Sequence, residues 1–421
     1  MDHFTYKNGI YHAENVPLDK LAREVGTPFY CYSTATLTRH YQVFSGAFSG
    51  MDAKVCYAVK ANGNLGVLKT LASLGCGADV VSEGEIRLAL AAGINSADIV
   101  FSGVGKTADE MAFALEQNIF QFNVESKPEL ELLSQVALSK NTKARIAVRV
   151  NPDVDPGTHA KISTGHKESK FGIAMKHAMP VYKLALSLAG IEVQGVSVHI
   201  GSQLTRLEPF AQAFARVVTF IGELRAAGFA IKTLDLGGGL GIPYGQEEPP
   251  LPEAYAEIVK RETKGLGCQL IFEPGRLLVG NAGILVSRVI YVKKSESRIF
   301  VIVDAAMNDL IRPTLYNAYH DIVHVIPPAG DAPTELVDVV GPVCESGDVF
   351  AEQRLLKLPK AGDLVAFRST GAYGASMSGT YNARPLVAEV MVNGNKHALV
   401  RPRQSYEGLV GRDKLPQWLH G

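Results

Sequence analysis

Short apolar runs alternate with longer segments of helical periodicity across the first two-thirds of the chain. The runs are three to six residues long and rich in β-branched and aromatic side chains, which is typical of strands buried in a parallel sheet. We predict eight such strands, at residues 55–59, 78–81, 99–101, 120–124, 145–150, 196–200, 233–236 and 269–272.

The segments between these strands have the periodicity of amphipathic helices. Most of them end at a glycine, the common C-terminal cap, as at Gly75, Gly93, Gly190 and Gly228. Eight strand–helix units in about 250 residues are the expected size of a (β/α)8 TIM-like barrel. A doubly wound open sheet is the alternative, but eight uninterrupted units without a glycine-rich first turn favour a closed barrel.

After Arg276 the pattern changes to short strands separated by turns such as Asn393-Gly-Asn395, without long helices. This predicts a second, mostly antiparallel β domain. We expect residues 31–280 to form the barrel, and residues 1–30 with 281–421 to form the β domain. The longest barrel loop, residues 151–171, contains proline, glycine and many charges, so we predict that it is a lid.

Composition narrows the classes of function. Lys+Arg and Asp+Glu both number 42, and no basic patch stands out, which argues against nucleic acid as a partner. No apolar run approaches the ~20 residues that a membrane span needs. The five cysteines are scattered without a C-x-x-C motif, which fits reduced thiols better than disulfides or a zinc site. We expect a cytoplasmic enzyme without a metal.

Polar side chains stand where several predicted strands end. Lys60 follows the first strand, Asp79 lies in the second, His199 in the sixth, and Glu273 follows the eighth. The carboxyl ends of barrel strands form the rim where such enzymes build their active sites. A partly desolvated lysine there can attack a carbonyl and form a Schiff base. Each residue alone also fits a structural role: a solvent-facing lysine, a core histidine or a helix-capping glutamate.

Two glycine-rich turns follow strands seven and eight, the usual phosphate site of such barrels. They are Gly237-Gly-Gly-Leu-Gly241, which includes Gly238 and Gly239, and the turn at Gly275. Glycines let backbone N–H groups approach an anion, although a crowded turn without ligand is the alternative. Together with Lys60, these turns predict a site for the cofactor pyridoxal 5'-phosphate. Glu273 would keep the ring nitrogen of the cofactor protonated, which makes the ring the strong electron sink that decarboxylation requires. An arginine in place of Glu273 would have suggested racemisation.

Several motifs in the same order resemble the alanine-racemase-fold, pyridoxal-phosphate-dependent decarboxylases. They are Ala58-Val-Lys-Ala-Asn62, His199-Ile-Gly-Ser202, Leu236-Gly-Gly-Gly-Leu-Gly241 and Glu273-Pro-Gly-Arg276. Three further motifs are similar to the branch of that family that decarboxylates meso-2,6-diaminopimelate to L-lysine and CO2. They are Asp309-Leu-Ile-Arg-Pro-Thr-Leu-Tyr316, Gly341-Pro-Val-Cys-Glu-Ser-Gly-Asp348 and Gly371-Ala-Tyr373. The resemblance implies a lyase of lysine biosynthesis with an alanine racemase-like fold.

The resemblance also implies a role for each matching residue. Lys60 would hold the cofactor, His199 would stack on its ring, Glu273 would pair with the ring nitrogen, and Asp79 would support the site. The phosphate would be bound by Ser202, Gly238, Gly239, Gly275, Arg276 and Tyr373, with Tyr381 as the competitor for the last role. The substrate would be bound by Arg276, Arg312, Tyr316, Glu345 and Tyr373, and Cys344 would protonate the carbanion left by CO2.

In this family the partner subunit of a homodimer supplies the cysteine and the glutamate, so the resemblance implies active sites shared across an interface. An ornithine- or arginine-type decarboxylase is the first alternative, although those substrates carry no distal carboxylate for Arg312 and Tyr316. A racemase and a non-catalytic relative that binds the cofactor are further alternatives.

Overall fold

The computed structural model describes residues 2–155 and 170–419. It divides into two compact units, Leu37–Val279 and Met1–Thr36 with Gly280–Gly421. Within the described residues, no helix is long and apolar enough to cross a membrane. Most of the predicted lid, residues 156–169, lies outside the described part of the chain.

The chain begins with short strands and two helices. A small antiparallel sheet comes first, followed by a helix, a fully buried strand and a second helix. The elements are β1 (Phe4–Lys7), β2 (Ile10–Ala13), β3 (Val16–Pro17), α1 (Leu18–Val25), β4 (Phe29–Ser33) and α2 (Thr34–Ala47).

Eight parallel strands close into a barrel, as the sequence predicts. They are β5 (Ala53–Ala58), β6 (Gly77–Val80), β7 (Ile99–Phe101), β8 (Gln121–Val124), β9 (Ala144–Asn151), β11 (Ile191–Val198), β12 (Thr233–Asp235) and β13 (Gln269–Phe272). Closure is made by β13, which pairs in parallel with β5, and by β8, which pairs with β9. A two-residue strand, β10 (Ile173–Ala174), adds to the edge of β9. The prediction of a closed barrel is therefore confirmed.

Helices follow the strands and surround them. They are α3 (Leu65–Ala72), α4 (Glu83–Ala91), α5 (Ala108–Glu116), α6 (Lys127–Ser139), α7 (Met175–Ser187), α8 (Glu208–Ala226), α9 (Pro252–Glu262) and the short α10 (Arg276–Val279). Side chains cap several of them, and Thr107 forms a capping box with Glu110 at the start of α5. Gly93 and Gly228 follow their helices with positive φ, as predicted, whereas Gly190 packs where a Cβ would collide with the carbonyl oxygen of Ser134.

An aromatic cluster packs α2 and α9 against the barrel. Phe48 stacks on Phe272 of β13 with ring centroids 4.1 Å apart, and Tyr255 of α9 contacts both rings. Phe44 joins the same cluster edge-on to Phe272. Burying several aromatic rings in one layer is a large apolar contribution to stability, so α2 is held by the strand that closes the barrel.

The second unit is built on a mostly antiparallel sheet, as predicted. Its remaining elements are β14 (Gly283–Lys294), β15 (Ile299–Val303), α11 (Arg312–Tyr316), β16 (Ile322–His324), β17 (Thr334–Val340), β18 (Val349–Lys357), β19 (Leu364–Phe367), β20 (Ala388–Asn393), β21 (Lys396–Arg401) and α12 (Tyr406–Val410). The main strand order is β18-β17-β15-β14-β4-β20-β21. In the described part of this unit two of the strand pairings are parallel, β15 with β17 and β4 with β20. This unit, described below as the β unit, and the barrel together confirm the predicted fold class.

Candidate active site

Lys60 lies in a single helical turn, Val59–Ala61, directly after β5. Its Nζ is 3.0 Å from Oδ2 of Asp79 on the neighbouring strand β6, where Asp79 is paired with Ala58 of β5. The Asp79 side chain is fully buried, whereas 41% of the Lys60 side chain is exposed. The second carboxylate oxygen of Asp79 is buried and has no hydrogen-bond partner within the described residues. The pair therefore presents an accessible amine held by a buried carboxylate.

Glu273 follows β13 and is buried among polar side chains. Its Oε1 accepts hydrogen bonds from Oγ of Ser102 at 3.2 Å and from Nδ2 of Asn123 at 3.1 Å. Asn123 also donates to Oδ2 of Asp235 at 2.7 Å. Burial, followed by the charges of Asp235 and Asp79, raises the pKa of Glu273 well above its ordinary value. Burial thus favours the protonated form of this hydrogen-bonded carboxyl group.

The glycines after β12 meet neighbouring backbone at very close range. A Cβ on Gly238 would collide with the carbonyl oxygen of Glu273, and one on Gly239 with that of Gly201. Only glycine fits such close approaches. The Gly238 N–H donates to Nδ1 of His199 at 3.2 Å. The glycine turn thereby joins the ends of β11, β12 and β13.

The environment of His199 favours a neutral imidazole. Burial, and then the charges of Arg149 and Lys60, lower its pKa well below the ordinary range. Because Nδ1 accepts from Gly238, the proton of the neutral ring lies on Nε2. Arg149 is itself buried and paired with Glu125 at 2.9 Å. A neutral, flat ring of this kind is suited to stacking on an aromatic ligand.

Arg276 and Ser202 lie together beside a tyrosine that the sequence analysis did not single out. Arg276 is buried, and its Nη1 donates to the Tyr244 hydroxyl at 2.6 Å while its Nη2 donates to Oγ of Ser202 at 3.1 Å. Its guanidinium carbon is 5.7 Å from the centroid of the Tyr244 ring. Gly275, the preceding residue, would bring a Cβ within 3.1 Å of the Cβ atoms of Ala58 and Ala61. A cation, a hydroxyl and a tight turn are thus placed at the end of β13.

The barrel residues fit pyridoxal phosphate. Lys60 offers an amine, Glu273 a carboxyl group, and Arg276 with Ser202 a donor set for a phosphate. The buried oxygen of Asp79 without a partner leaves acceptor capacity for a ligand. Lysine, carboxyl group and cation each match a different part of that cofactor.

Two predicted substrate residues begin and end α11 in the β unit. Arg312 is buried, with Nη1 2.8 Å from Nε2 of His320, and Tyr316 is half-buried. The ring of His320 also contacts the backbone oxygen of Arg368 at 2.8 Å through Nδ1. Their i, i+4 spacing places Arg312 and Tyr316 on one face of the helix, as the sequence predicts.

The other three predicted residues of the β unit lie in loops. Cys344 and Glu345 are exposed between β17 and β18. Asp348 orders their loop, since its Oδ2 accepts the N–H of Val343 at 2.8 Å. Tyr373 is half-buried and has a φ of 57°, an uncommon backbone conformation for a tyrosine. A strained conformation of this kind points to a functional position.

The structure adds residues that were not predicted from the sequence. Asn123, Asp235 and Ser102 surround Glu273, and Tyr244 contacts Arg276. A signal existed for two of them, because Asn123 and Asp235 are polar residues within short, fully buried strands. A polar residue in such a strand needs a buried partner.

Comparison with known proteins identifies the family of the chain. Residues 34–280 match the family model described as the pyridoxal binding domain of pyridoxal-dependent decarboxylases. The diaminopimelate decarboxylase of Zymomonas mobilis is 53% identical over 421 residues, covering 99% of each chain.

Two solved structures are also similar over nearly the whole chain. The diaminopimelate decarboxylase of Helicobacter pylori complexed with L-lysine is 42% identical, with a TM-score of 0.91 over 94% of this chain and 98% of that one. The M. jannaschii diaminopimelate decarboxylase in complex with L-lysine is 38% identical, with a TM-score of 0.94 over 99% of both chains. The chain therefore belongs to the pyridoxal-dependent decarboxylase family, among the diaminopimelate decarboxylases.

Proposed function

We propose that this chain is a carboxy-lyase that uses pyridoxal phosphate to convert meso-2,6-diaminopimelate to L-lysine and CO2, the last step of lysine biosynthesis. The observation that carries the proposal is the barrel site, where the Lys60 amine stands 3.0 Å from buried Asp79. Sequence identities of 53% and 52% to two diaminopimelate decarboxylases, over nearly the whole chain, support the choice of substrate. The L-lysine in the two related structures is the product that this reaction would release.

In this proposal the barrel residues hold and orient the cofactor. Lys60 binds it covalently through its amine, Asp79 keeps that amine in place, His199 stacks on the ring, and Glu273 pairs with the ring nitrogen. The phosphate is bound by Ser202, Gly238, Gly239, Gly275, Arg276 and Tyr373. When bound, the cofactor supplies an electron sink for the electron pair that remains after CO2 departs.

Residues of the β unit are proposed to select the substrate, together with Arg276. Meso-2,6-diaminopimelate carries a carboxylate and an ammonium group at each end. Arg312 is suited to a carboxylate because a guanidinium binds one through two parallel hydrogen bonds. Tyr316 and Tyr373 would donate further hydrogen bonds, and Glu345 would receive the distal ammonium group.

We assign the proton transfer that follows decarboxylation to Cys344. Its thiol is exposed in the β unit, so a substrate can reach it. The proton of Sγ would move to the carbon from which CO2 departed. The neighbouring Glu345 would fix the far end of the substrate at the same time.

We further propose a homodimer in which the partner subunit supplies Cys344 and Glu345 to each site. Mixing inactive Lys60→Ala and Cys344→Ala variants under conditions of subunit exchange should then restore part of the activity, because one of the two sites in a mixed dimer is intact. Exchanged subunits without recovered activity would count against shared sites.

The proposal also covers the organisation and setting of the protein. Residues 31–280 would be the cofactor-binding domain, residues 1–30 with 281–421 the β domain, and residues 151–171 a lid. The protein would act in the cytoplasm, which fits the five free cysteines, on a small amino acid and without nucleic acid or membrane partners.

A direct assay tests the proposed function. Purified protein loaded with pyridoxal phosphate is incubated with meso-2,6-diaminopimelate, ornithine or arginine, and both CO2 and the amine product are measured. We expect L-lysine and CO2 from diaminopimelate alone, since only that substrate has a distal carboxylate. Preferred turnover of ornithine or arginine would refute the proposed substrate, and racemisation without CO2 would refute the reaction.

A further inference from the structure

A chain of hydrogen bonds crosses the barrel interior and ends at two carboxyl groups. Thr233 Oγ1 donates to Oε1 of Gln121 at 2.8 Å, and Nε2 of Gln121 donates to Oδ1 of Asn123 at 2.9 Å. Nδ2 of Asn123 then donates to Asp235 at 2.7 Å and to Glu273 at 3.1 Å. All five side chains are buried. The carboxyl groups of Asp235 and Glu273 need hydrogen-bond donors, so the side-chain nitrogen of Asn123 must face them. This orientation of Asn123 fixes the donor-to-acceptor direction of every hydrogen bond in the series.

The two carboxyl groups at the end of this chain share one donor, since Nδ2 of Asn123 lies 2.7 Å from Oδ2 of Asp235 and 3.1 Å from Oε1 of Glu273. Two ionised carboxylates this close repel strongly in a buried site, which favours a proton on one of the pair. Asp235 is the better anion, because its Oδ1 accepts the Gly237 N–H at 2.9 Å while its Oδ2 accepts from Asn123. Glu273 is therefore the member of the pair that favours the protonated form.

The charged groups around the pair support this assignment. Asp79 is buried on β6, and its negative charge favours a protonated Glu273. The positive charge of Lys60, after β5, lowers the pKa of Glu273, but the Lys60 side chain is partly exposed. Burial of Glu273 outweighs that opposing effect, so the direction of its pKa shift remains upward.

We propose that Asp235 is a positioning residue that keeps a proton on Glu273 for delivery to the ring nitrogen of the cofactor. The inference deepens the proposed function and rests on it, because the ring nitrogen is that of pyridoxal phosphate. When the cofactor is bound, Glu273 would give its proton to an unprotonated ring nitrogen, the O–H bond breaking as the N–H bond forms. The carboxylate left on Glu273 would pair with the positive charge of the ring, and Asp235 would stay ionised.

The number of protons taken up or released when the cofactor binds tests this proton transfer from Glu273 without any measurement of turnover. Cofactor-free protein is titrated with pyridoxal phosphate by isothermal calorimetry in buffers of different ionisation enthalpy, for wild type and Asp235→Asn. In the variant Glu273 loses one of the negative charges that raise its pKa, so more of it is ionised before binding. Net proton uptake on binding should therefore increase relative to wild type, by at most about one per site. Thr233→Val is the matched control, since it breaks the far end of the chain without removing a charge, and its uptake should equal that of wild type. Equal uptake in wild type and Asp235→Asn would overturn the proposal.

Infrared difference spectroscopy provides a second measurement that does not depend on the folding of Asp235→Asn. Adding pyridoxal phosphate to the cofactor-free wild type should remove the C=O band of one protonated carboxyl group. Glu273→Gln should lack that change. If wild type shows no loss of the band, Glu273 carries no proton to deliver and the proposal is wrong. Both measurements follow cofactor binding and use no substrate. A negative result in the turnover assay would therefore refute the proposed substrate without deciding whether Glu273 delivers a proton.

Discussion

Replacing Arg276 with lysine tests whether the end of β13 is a phosphate site. Arg276 is 7% exposed, and its guanidinium group uses two different nitrogens, one for the Tyr244 hydroxyl at 2.6 Å and one for Ser202 at 3.1 Å. Lysine keeps the charge but has a single nitrogen, so it cannot hold both hydroxyl groups and a phosphate in one arrangement. One lost hydrogen bond to a charged group costs about 1.5–3 kcal/mol, which corresponds to an increase of about 10- to 150-fold in Kd for pyridoxal phosphate.

The assay is an absorbance titration of cofactor-free protein, with inorganic phosphate as a competitor that reports the anion site alone. Arg225→Lys is the matched control, because the partners of Arg225 among the described residues are two carbonyl groups and Cys268, near the amino ends of the strands. Its affinity for both ligands should be unchanged. If Arg276→Lys binds pyridoxal phosphate and inorganic phosphate within about threefold of wild type, the phosphate site lies elsewhere.

Three further substitutions test the substrate site and the stability of the fold. Arg312→Ala is expected to raise KM for meso-2,6-diaminopimelate about 10- to 100-fold with a smaller change in kcat, because a charge-assisted contact is lost on binding; an unchanged KM would remove Arg312 from the site. Glu129→Gln should lower the free energy of unfolding by about 3–5 kcal/mol in urea titrations, since it leaves Lys106 buried without its counter-charge at 2.7 Å. Glu131→Gln is the control, because the Glu131 side chain is 42% exposed in its pair with Lys127. It should cost less than about 1 kcal/mol, and equal losses in the two variants would contradict the role of burial. Burial raises the pKa of Asp309 from 3.8 to about 7, so its contribution to stability is present below pH 3.8 and is lost as the pH rises to about 7. Asp309→Asn should flatten that decline of the unfolding free energy, and an identical pH profile would show that another group causes it.

The barrel could be predicted because its strands are buried on both faces and therefore appear as uninterrupted apolar runs. Two elements have no such signal. Helix α2 contains threonine, aromatic residues and glycine, and it is held by the packing of Phe44 and Phe48 on β13. Strand β18 contains a bulge, where Glu352 and Gln353 interrupt its alternation and Gln353 has a φ of 45°.

The candidate site likewise contains features that could be predicted from the sequence and one that could not. Lys60, Asp79, His199 and Glu273 could be predicted because the carboxyl ends of barrel strands converge on one rim. The partnership of Asp235 with Glu273 depends on which strands face each other across the closed barrel. Spacing along the chain does not contain that information, since the two residues contact Asn123 of a third strand.

Covalent attachment of pyridoxal phosphate to Lys60, at the carboxyl end of β5, can be measured directly. Protein loaded with the cofactor is reduced with borohydride, digested and analysed by mass spectrometry. We expect the mass of the reduced cofactor on the peptide that contains Lys60, and no covalent cofactor in Lys60→Ala. Attachment to a different lysine, or undiminished attachment in Lys60→Ala, would contradict this expectation.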